Sequence, residues 1–211
     1  MLFIFDWDGT LCRSLDRIVT SVQKSAVDLE LVAPQYDQIK SIVGLGLNEA
    51  MDLLFPSLSE KGRGQLVERY KHHFVALDIS VPSPLYRGAM ETLESLRQDK
   101  HKLAVATGKS RQGLDRALSE KGMADFFDGT RCADETKSKP HPQMLHELLD
   151  ELGHQREDAV MIGDTEFDLE MANSAGIRAI GVSHGAHPLP RLEKCRPHLI
   201  VDELVTILNH F

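Results

Sequence analysis

A chain of 211 residues that is 42% hydrophobic and 27% charged can bury one large core, or one core that carries a smaller insert. Its formal net charge of -8 argues against nucleic acid and against an anionic membrane surface as partners, because both favour basic proteins. No apolar run reaches the roughly 20 residues of a membrane helix, and the three cysteines have neither disulfide nor zinc-site spacing, so we expect a cytoplasmic protein with free thiols.

The first predicted element is a short buried strand, residues 2–6, whose apolar run ends in acidic residues. Asp6 and Asp8 are separated by one residue, and Gly9 follows directly as part of a turn signal. Two carboxylates this close either raise each other's pKa or need a cation. The end of this strand is therefore the first candidate site.

Four helical segments follow, with no strand between them. Apolar residues at helical spacing mark the first, about 14–31; the fourth covers about 59–78, and two shorter pieces flank the stretch VGLGLNEA. The stretch SVPSPLYRG, with its two prolines and a glycine, indicates a linker or hinge. We expect residues 14–82 to form a helical cap, inserted into a core made of residues 1–13 and 83–211.

After the hinge, apolar strands alternate with helices. The predicted strands are 102–107, a short one near 129–133, 159–164, 178–182 and 198–201. The predicted helices are about 88–100, one from residue 110, 141–152, one ending at 175, and 202–211. Continuous apolar strands that alternate with helices indicate a parallel sheet covered on both faces. The expected fold class is α/β, a Rossmann-like parallel sheet core with an inserted α-helical cap.

Chemically active side chains follow several of these strands, and ligands of open parallel sheets bind beyond the carboxyl ends of the strands. The residues at those ends are Asp6, Asp8, Thr107, Gly108, Lys109, Asp164 and Asp168, with Lys137 and Lys139 before the helix at 141–152. Carboxylates without nitrogen or sulfur partners suit Mg²⁺. A hydroxyl, a lysine and a helix N-terminus suit phosphate. Together they indicate phosphoryl transfer, in which a carboxylate attacks phosphorus.

Four motifs, in this order, resemble those of the haloacid dehalogenase-like hydrolases: DWDGTL, the threonine of VATGKS, the lysine of KSKPHP, and GDTEFD. The helical insert and the LYRG hinge resemble the cap of the phosphoglycolate phosphatase and β-phosphoglucomutase branch. The resemblance covers nearly the whole chain. It implies an enzyme with Mg²⁺ as cofactor and a small phosphorylated metabolite as partner.

The resemblance also implies a role for each motif residue. Asp6 would be the nucleophile and a metal ligand, and Asp8 the general acid and base, with its carbonyl on the metal. Thr107 and Lys139 would hold the phosphoryl group, and Asp164 would bind Mg²⁺. The remaining roles are that Asp168 would support the metal shell or orient Lys139, and that Gly9 and Gly108 would bring backbone N–H groups to phosphate oxygens.

The expected function is a Mg²⁺-dependent phosphatase, phosphoglycolate phosphatase-like, that hydrolyses a small phosphomonoester through an aspartyl phosphate. The alternatives are a sugar phosphomutase, a pyrophosphatase, or a non-catalytic phospho-acceptor or binding module. We expect no nucleic acid or membrane partner, and a monomer or dimer.

Several features leave the substrate open. Arg13 replaces a residue that is often serine in the motif family, so it either contacts substrate or lies on the surface. Gly108 stands where relatives often carry Asn or Ser. The stretch VGLGLNEA is either a loop between cap helices or a substrate-reading loop that offers Asn48 and backbone amides. The stretch SHGAHP, with His184 and His187, is expected to be a solvated loop.

Overall fold

The structure, a computed structural model, describes residues 1–211. Its centre is a six-stranded sheet in which every neighbouring pair is parallel, in the order β3-β2-β1-β4-β5-β6. The strands are β1 Leu2–Phe5, β2 Lys102–Thr107, β3 Gly129–Cys132, β4 Ala159–Gly163, β5 Arg178–Val182 and β6 Leu199–Val201. The predicted α/β class with a parallel sheet is confirmed.

Nine α-helices surround the sheet or stand apart from it: α1 Leu15–Asp28, α2 Tyr36–Lys40, α3 Leu47–Leu54, α4 Glu60–Ser80, α5 Ala89–Gln98, α6 Arg111–Glu120, α7 Gln143–Leu152, α8 Glu166–Ala175 and α9 Leu189–Lys194. Short 3-10 helices occupy Arg156–Asp158 and Leu204–Asn209. None of the helices has the length and hydropathy to cross a membrane.

One prediction near the C-terminus was wrong in detail, and one helix there was not predicted. The expected helix 202–211 is a 3-10 helix, Leu204–Asn209, because that tighter winding places Leu204 and Ile207 one above the other against the core. No element was predicted for residues 189–194, which form helix α9. Pro190 lies in the first turn of that helix, where its missing N–H costs nothing.

Strand β1 shows why the sheet needs helices on both sides. Phe3 and Phe5 pack into one buried cluster, whereas Leu2 and Ile4 pack into the opposite one, as the alternation of a strand requires. Helices α5 and α6 cover the first face, and α7 and α8 cover the second. All four residues of β1 are fully buried, and Asp6, the first residue after the strand, is buried as well.

Helices α1–α4 have a hydrophobic cluster of their own, to which the rest of the chain contributes only Ala186 as a buried member. The two chain crossings that join these helices to the sheet lie side by side. The N–H of Arg13 donates to the Pro84 carbonyl, and the N–H of Tyr86 donates to the Leu11 carbonyl, at 2.9 Å each. We call α1–α4 and their loops the cap.

The strand order reverses direction at β1, which has β2 on one side and β4 on the other. Ligands of such sheets bind in the crevice outside the carboxyl ends at this switch point. A cavity of about 190 Å³ lies there, between the cap and the strand ends. The fold therefore brings the end of the first strand, residues from later strands, and the cap to one place.

Candidate active site

Asp6 directly follows β1, where its N–H donates to the Ile162 carbonyl of β4 at 2.9 Å. Its two carboxylate oxygens have different surroundings. Oδ1 accepts a hydrogen bond from Lys139 Nζ at 2.6 Å, whereas Oδ2 is buried and has no hydrogen-bond partner. Burial raises the pKa of Asp6 well above its usual range, against the lowering effect of the Lys139 charge. Asp6 lines the cavity, with Oδ2 as the one oxygen not held by the protein.

Lys139 is the buried cation of the site. Its Nζ lies 2.6 Å from Asp6 Oδ1 and 2.6 Å from Asp168 Oδ1, and its side chain is fully buried. Burial by itself lowers the pKa of Lys139, but the charges of Asp168 and Asp6 outweigh it, and the pKa is raised. Lys137, the competing candidate in the sequence, is exposed.

Asp168 is engaged at both oxygens. Oδ1 accepts from Lys139, while Oδ2 accepts from the N–H of Thr165 at 3.1 Å and from its hydroxyl at 2.7 Å. Thr165 and Asp168 form a reciprocal capping box at the start of α8. Of the two roles expected for Asp168, these contacts favour the orientation of Lys139.

Asp164 follows β4 and is completely buried. Its Oδ1 accepts from the Thr10 hydroxyl at 2.7 Å, and its Oδ2 accepts from the N–H of Ala186 at 2.6 Å. Burial, with the nearby charge of Asp168, raises the pKa of Asp164 to about 7. Each oxygen keeps a second lone pair for another ligand.

Asp6, Asp164 and Asp168 place carboxylate oxygens within 4.8 Å of one another, and all three residues are buried. One buried amino group, that of Lys139, does not balance three carboxylates. Such an excess of buried negative charge fits a hard divalent cation such as Mg²⁺. Each of the three carboxylates keeps oxygen lone pairs that could hold such an ion.

Asp8 is not part of this cluster of carboxylates. Its Oδ1 accepts from the Ser14 hydroxyl at 2.5 Å, and its Oδ2 is 2.9 Å from Lys109 Nζ. Asp8 and Lys109 both line the cavity. Two residues beyond Asp6, a second carboxylate thus faces the same space but is positioned by different partners.

Another part of the cavity wall is formed by the turn after β2. Thr107 is buried and its hydroxyl accepts the N–H of Lys109 at 3.2 Å, while the N–H of Gly108 has no acceptor in the protein. Ser110 caps α6 by accepting from the N–H of Gly113 at 3.2 Å. A hydroxyl, a free N–H and a helix N-terminus here suit a phosphate group.

Gly108 is also a packing position. A Cβ at this residue would lie 2.5 Å from the Leu45 carbonyl oxygen and 2.7 Å from that of Gly44. Both oxygens belong to the cap loop in VGLGLNEA, so the cap loop rests directly on the phosphate turn. The glycine that departs from the family pattern therefore makes room for the cap.

Gly9 has a different task from the one expected. Its N–H already donates to the Cys12 carbonyl at 2.9 Å, so it is not a free donor for phosphate. Its φ of +95° is in the left-handed region, and a Cβ there would collide with the Asp164 carboxylate. Gly9 turns the chain sharply and lets Asp164 approach.

The stretch SHGAHP is not a solvated loop, contrary to expectation. It follows β5, next to β4 in the sheet, and folds over Asp164 through the Ala186 N–H. His187 is buried, and its Nδ1 accepts from the N–H of Glu166 at 3.0 Å while Nε2 donates to the Ser41 carbonyl of the cap at 3.2 Å. Burial lowers the pKa of His187 to about 4, which fits this neutral form. The small residues of the stretch were the signal that something packs closely there.

Sequence reasoning missed two hydroxyls that hold the motif acids. Thr10 belongs to the quoted motif DWDGTL but had been given no role, and it binds Asp164. Ser14 binds Asp8 across the turn. In contrast, Arg13 and Asn48 are exposed and neither lines the cavity. Of the two readings of VGLGLNEA, the structure supports a loop that faces the cavity, through Gly44, Leu45 and Leu47.

Comparisons with known proteins agree with this geometry. Residues 3–182 match a family model described as haloacid dehalogenase-like hydrolase. The chain is 32% identical over 211 residues to the probable phosphatase IndB of Dickeya dadantii, covering 99% of this chain and 92% of that protein. It is 28% identical over 211 residues to a phosphoglycolate phosphatase of Agrobacterium fabrum, covering 98% and 90%.

A solved structure gives the same result in three dimensions. A crystal structure described as a predicted phosphoglycolate phosphatase from Haemophilus somnus superposes with a TM-score of 0.88 at 25% sequence identity. The match covers 99% of this chain and 96% of that one. The likeness therefore includes the cap as well as the sheet.

Proposed function

The chain belongs to the haloacid dehalogenase-like hydrolases and is a phosphoric ester hydrolase, and from that premise we propose that it is a Mg²⁺-dependent phosphatase acting on a small phosphomonoester through an aspartyl phosphate on Asp6. The observation that carries the proposal is the asymmetry of Asp6. One oxygen is held by Lys139 and the other, Oδ2, is buried and unpartnered, in a residue that lines the cavity.

In the first step, Asp6 Oδ2 forms a bond to phosphorus while the bond from phosphorus to the ester oxygen breaks. Asp8, as a carboxylic acid, gives its proton to the departing oxygen, so an alcohol leaves. Lys139 stays on Oδ1 and fixes the carboxylate plane during the attack. Thr107 and the N–H of Gly108 donate to phosphoryl oxygens.

In the second step, Asp8 takes a proton from a water molecule whose oxygen attacks phosphorus. The bond between phosphorus and Asp6 breaks, inorganic phosphate leaves, and Asp8 is again an acid. When bound by Asp6 and Asp164, Mg²⁺ would supply positive charge to the phosphoryl oxygens. Asp168 acts through Lys139, as its contacts suggest.

We propose that residues 14–82 work as the mobile cap of this site. The cap cluster is separate from the two clusters of the sheet, and the paired crossings at Arg13 and Tyr86 are a suitable hinge. Closure would exclude bulk water while Asp6 reacts. The cytoplasmic location and the monomeric or dimeric state stay predictions.

The first experiment measures phosphate release from a panel of compounds with Mg²⁺ and with EDTA. The panel includes 2-phosphoglycolate, the compound in the name of one relative, as well as sugar phosphates, nucleotides and pyrophosphate. Mg²⁺-dependent release that is absent in Asp6→Asn supports the proposal. Turnover only in the presence of a sugar bisphosphate would instead indicate a phosphomutase, and a lasting phosphoenzyme without release would indicate a phospho-acceptor module.

A further inference from the structure

The cavity has two chemically different sides. It is lined by 22 residues, 11 of them hydrophobic, and all 11 belong to the cap. They include Val22 of α1, Leu47 and Met51 of α3, and Phe74 of α4. Every lining residue from the sheet side is polar, charged or glycine. The phosphate-facing side is thus fully polar, and the side that faces the rest of the substrate is apolar.

The three cations that line the cavity outside the carboxylate cluster are each opposed by a carboxylate of the protein. Lys71 Nζ is 2.8 Å from Glu68, and Lys109 Nζ is 2.9 Å from Asp8. Arg116, on α6, is held more loosely: its Nε is 3.6 Å from Asp78 and 3.5 Å from Glu120, and it has no hydrogen-bond partner. No cation remains free on the cap for a carboxylate or a second phosphate of the substrate.

Neutral polar side chains on the cap side of the cavity are equally few. Tyr70 is half-buried and lines the cavity, and it is the only cap residue with a neutral polar side chain there. A sugar has several hydroxyls, and each would lose its hydrogen bonds to water against this apolar wall. An apolar body would instead gain from burial against it.

We infer that the substrate is the phosphate monoester of a small apolar alcohol, aromatic or branched aliphatic, with that alcohol held against the cap wall. This inference rests on the proposed phosphatase function and narrows its substrate class. A cavity of about 150 Å³ with apolar walls takes up benzene. The 190 Å³ here is shared with the phosphoryl group, so the apolar part of the alcohol is limited to about the size of one benzene ring.

The test compares benzyl phosphate and isobutyl phosphate with 2-phosphoglycolate, glucose 6-phosphate and pyrophosphate, all with Mg²⁺. These two apolar esters have poor leaving groups, so their hydrolysis reports binding by the cap and not an activated bond. We expect kcat/KM for benzyl phosphate to exceed that for 2-phosphoglycolate by about 100-fold. Preference for 2-phosphoglycolate or pyrophosphate would overturn the inference, leave the phosphatase in place, and direct attention to Arg116.

A pair of variants on helix α3 links that preference to the cap wall. Leu47→Gln adds a polar group to the wall at nearly constant size, and we expect KM for benzyl phosphate to rise about tenfold with kcat little changed. Leu53→Gln is the matched control, since Leu53 is exposed on the same helix and does not line the cavity. Equal KM values in both variants would overturn the inference. Lack of release from every compound would overturn the phosphatase proposal, and this inference with it.

Discussion

At the scale of single residues, the role of each carboxylate in the site depends on which of its oxygens already accept hydrogen bonds from the protein. Asp6 keeps one oxygen free, whereas Asp168 has both oxygens held by Lys139 and Thr165. Asp8 is held by a serine and a lysine and has no contact with Lys139. Four carboxylates that look alike in the sequence therefore have different hydrogen-bond partners, and different chemistry follows from them.

Asp6→Asn is expected to abolish turnover, by about 10⁴-fold or more, because an amide does not attack phosphorus. The fold should persist, with a melting temperature equal to or above that of the wild type. The reason is that one of three crowded carboxylates becomes neutral while an oxygen stays available to Lys139. Steady-state phosphate release and thermal melting measure the two effects. Appreciable residual turnover would rule out Asp6 as the nucleophile.

Asp8→Ala is expected to slow both half-reactions by about 10²–10⁴-fold, since Asp8 gives a proton in the first and takes one from water in the second. The loss in the first step should be smaller for 4-nitrophenyl phosphate, whose leaving group hardly needs an acid, than for benzyl phosphate. Rapid-quench measurement of phosphoenzyme formation and decay separates the steps. Arg13→Ala is the control: Arg13 is exposed in the same segment and does not line the cavity, so its rates should stay at the wild-type level. A full-rate Asp8→Ala enzyme would contradict the acid-base role.

At the scale of elements, the cap meets the core at a few tight contacts around one loop. Gly44 and Leu45 rest on Gly108, the N–H of Gly46 donates to Ser138 Oγ at 2.7 Å, and the Ser41 carbonyl accepts from His187. These contacts surround the cavity on the side of the phosphate turn. They make the position of the cap on the core depend on small residues, because any added side chain must move backbone.

Gly108→Ala tests this dependence. The new Cβ would lie 2.5 Å from the Leu45 carbonyl oxygen, so the cap loop must shift, and a displacement of about 1 Å can cost about 10²-fold in rate. We expect kcat/KM to fall by that order while the melting temperature changes by only a few degrees. Gly64→Ala on α4 is the control, because nothing lies within 4 Å of a Cβ there and the residue is exposed. Wild-type activity in Gly108→Ala would show that the loop contact does not matter for turnover.

At the scale of the whole molecule, the sheet order concentrates negative charge. Asp6 follows β1 and Asp164 follows β4, which is its immediate neighbour, while the start of α8 brings in Asp168. A divalent cation that binds only the folded arrangement must stabilise the fold, by about 2.7 kcal/mol at 100 times its Kd. The site is therefore coupled to the stability of the whole chain.

We expect Mg²⁺ at that concentration to raise the melting temperature by about 5–10 °C, given the usual relation between free energy and melting temperature for chains of this size. Asp164→Asn should lose most of this shift and keep a similar melting temperature in EDTA, because an amide of the same shape can still bond the Ala186 N–H. Thermal melting with Mg²⁺ and with EDTA measures both. A shift of the same size in the variant would show that Asp164 is not a ligand of the stabilising cation.

The class of fold and the identity of the chemical groups follow from the order of residues along the chain. Apolar runs between helices predicted a parallel sheet, and strand ends predicted Asp6, Asp8, Thr107, Lys139 and Asp164 as the candidate residues. Four helical segments without a strand between them predicted the cap helices. These features are local, since periodicity and strand termini are properties of neighbouring residues along the chain.

How those groups are used depends on contacts that form only in the folded chain. The N–H of Gly9 is taken by Cys12, SHGAHP covers Asp164 because β5 lies beside β4, and Gly108 meets a cap loop some 60 residues away in the chain. The apolar wall of the cavity likewise combines residues from α1, α3 and α4. Such contacts join residues distant in sequence, so their partners depend on strand order and packing. The residue types at the strand ends limit the chemistry that the site can perform. The packing of the cap on the sheet determines which of their atoms are free to take part.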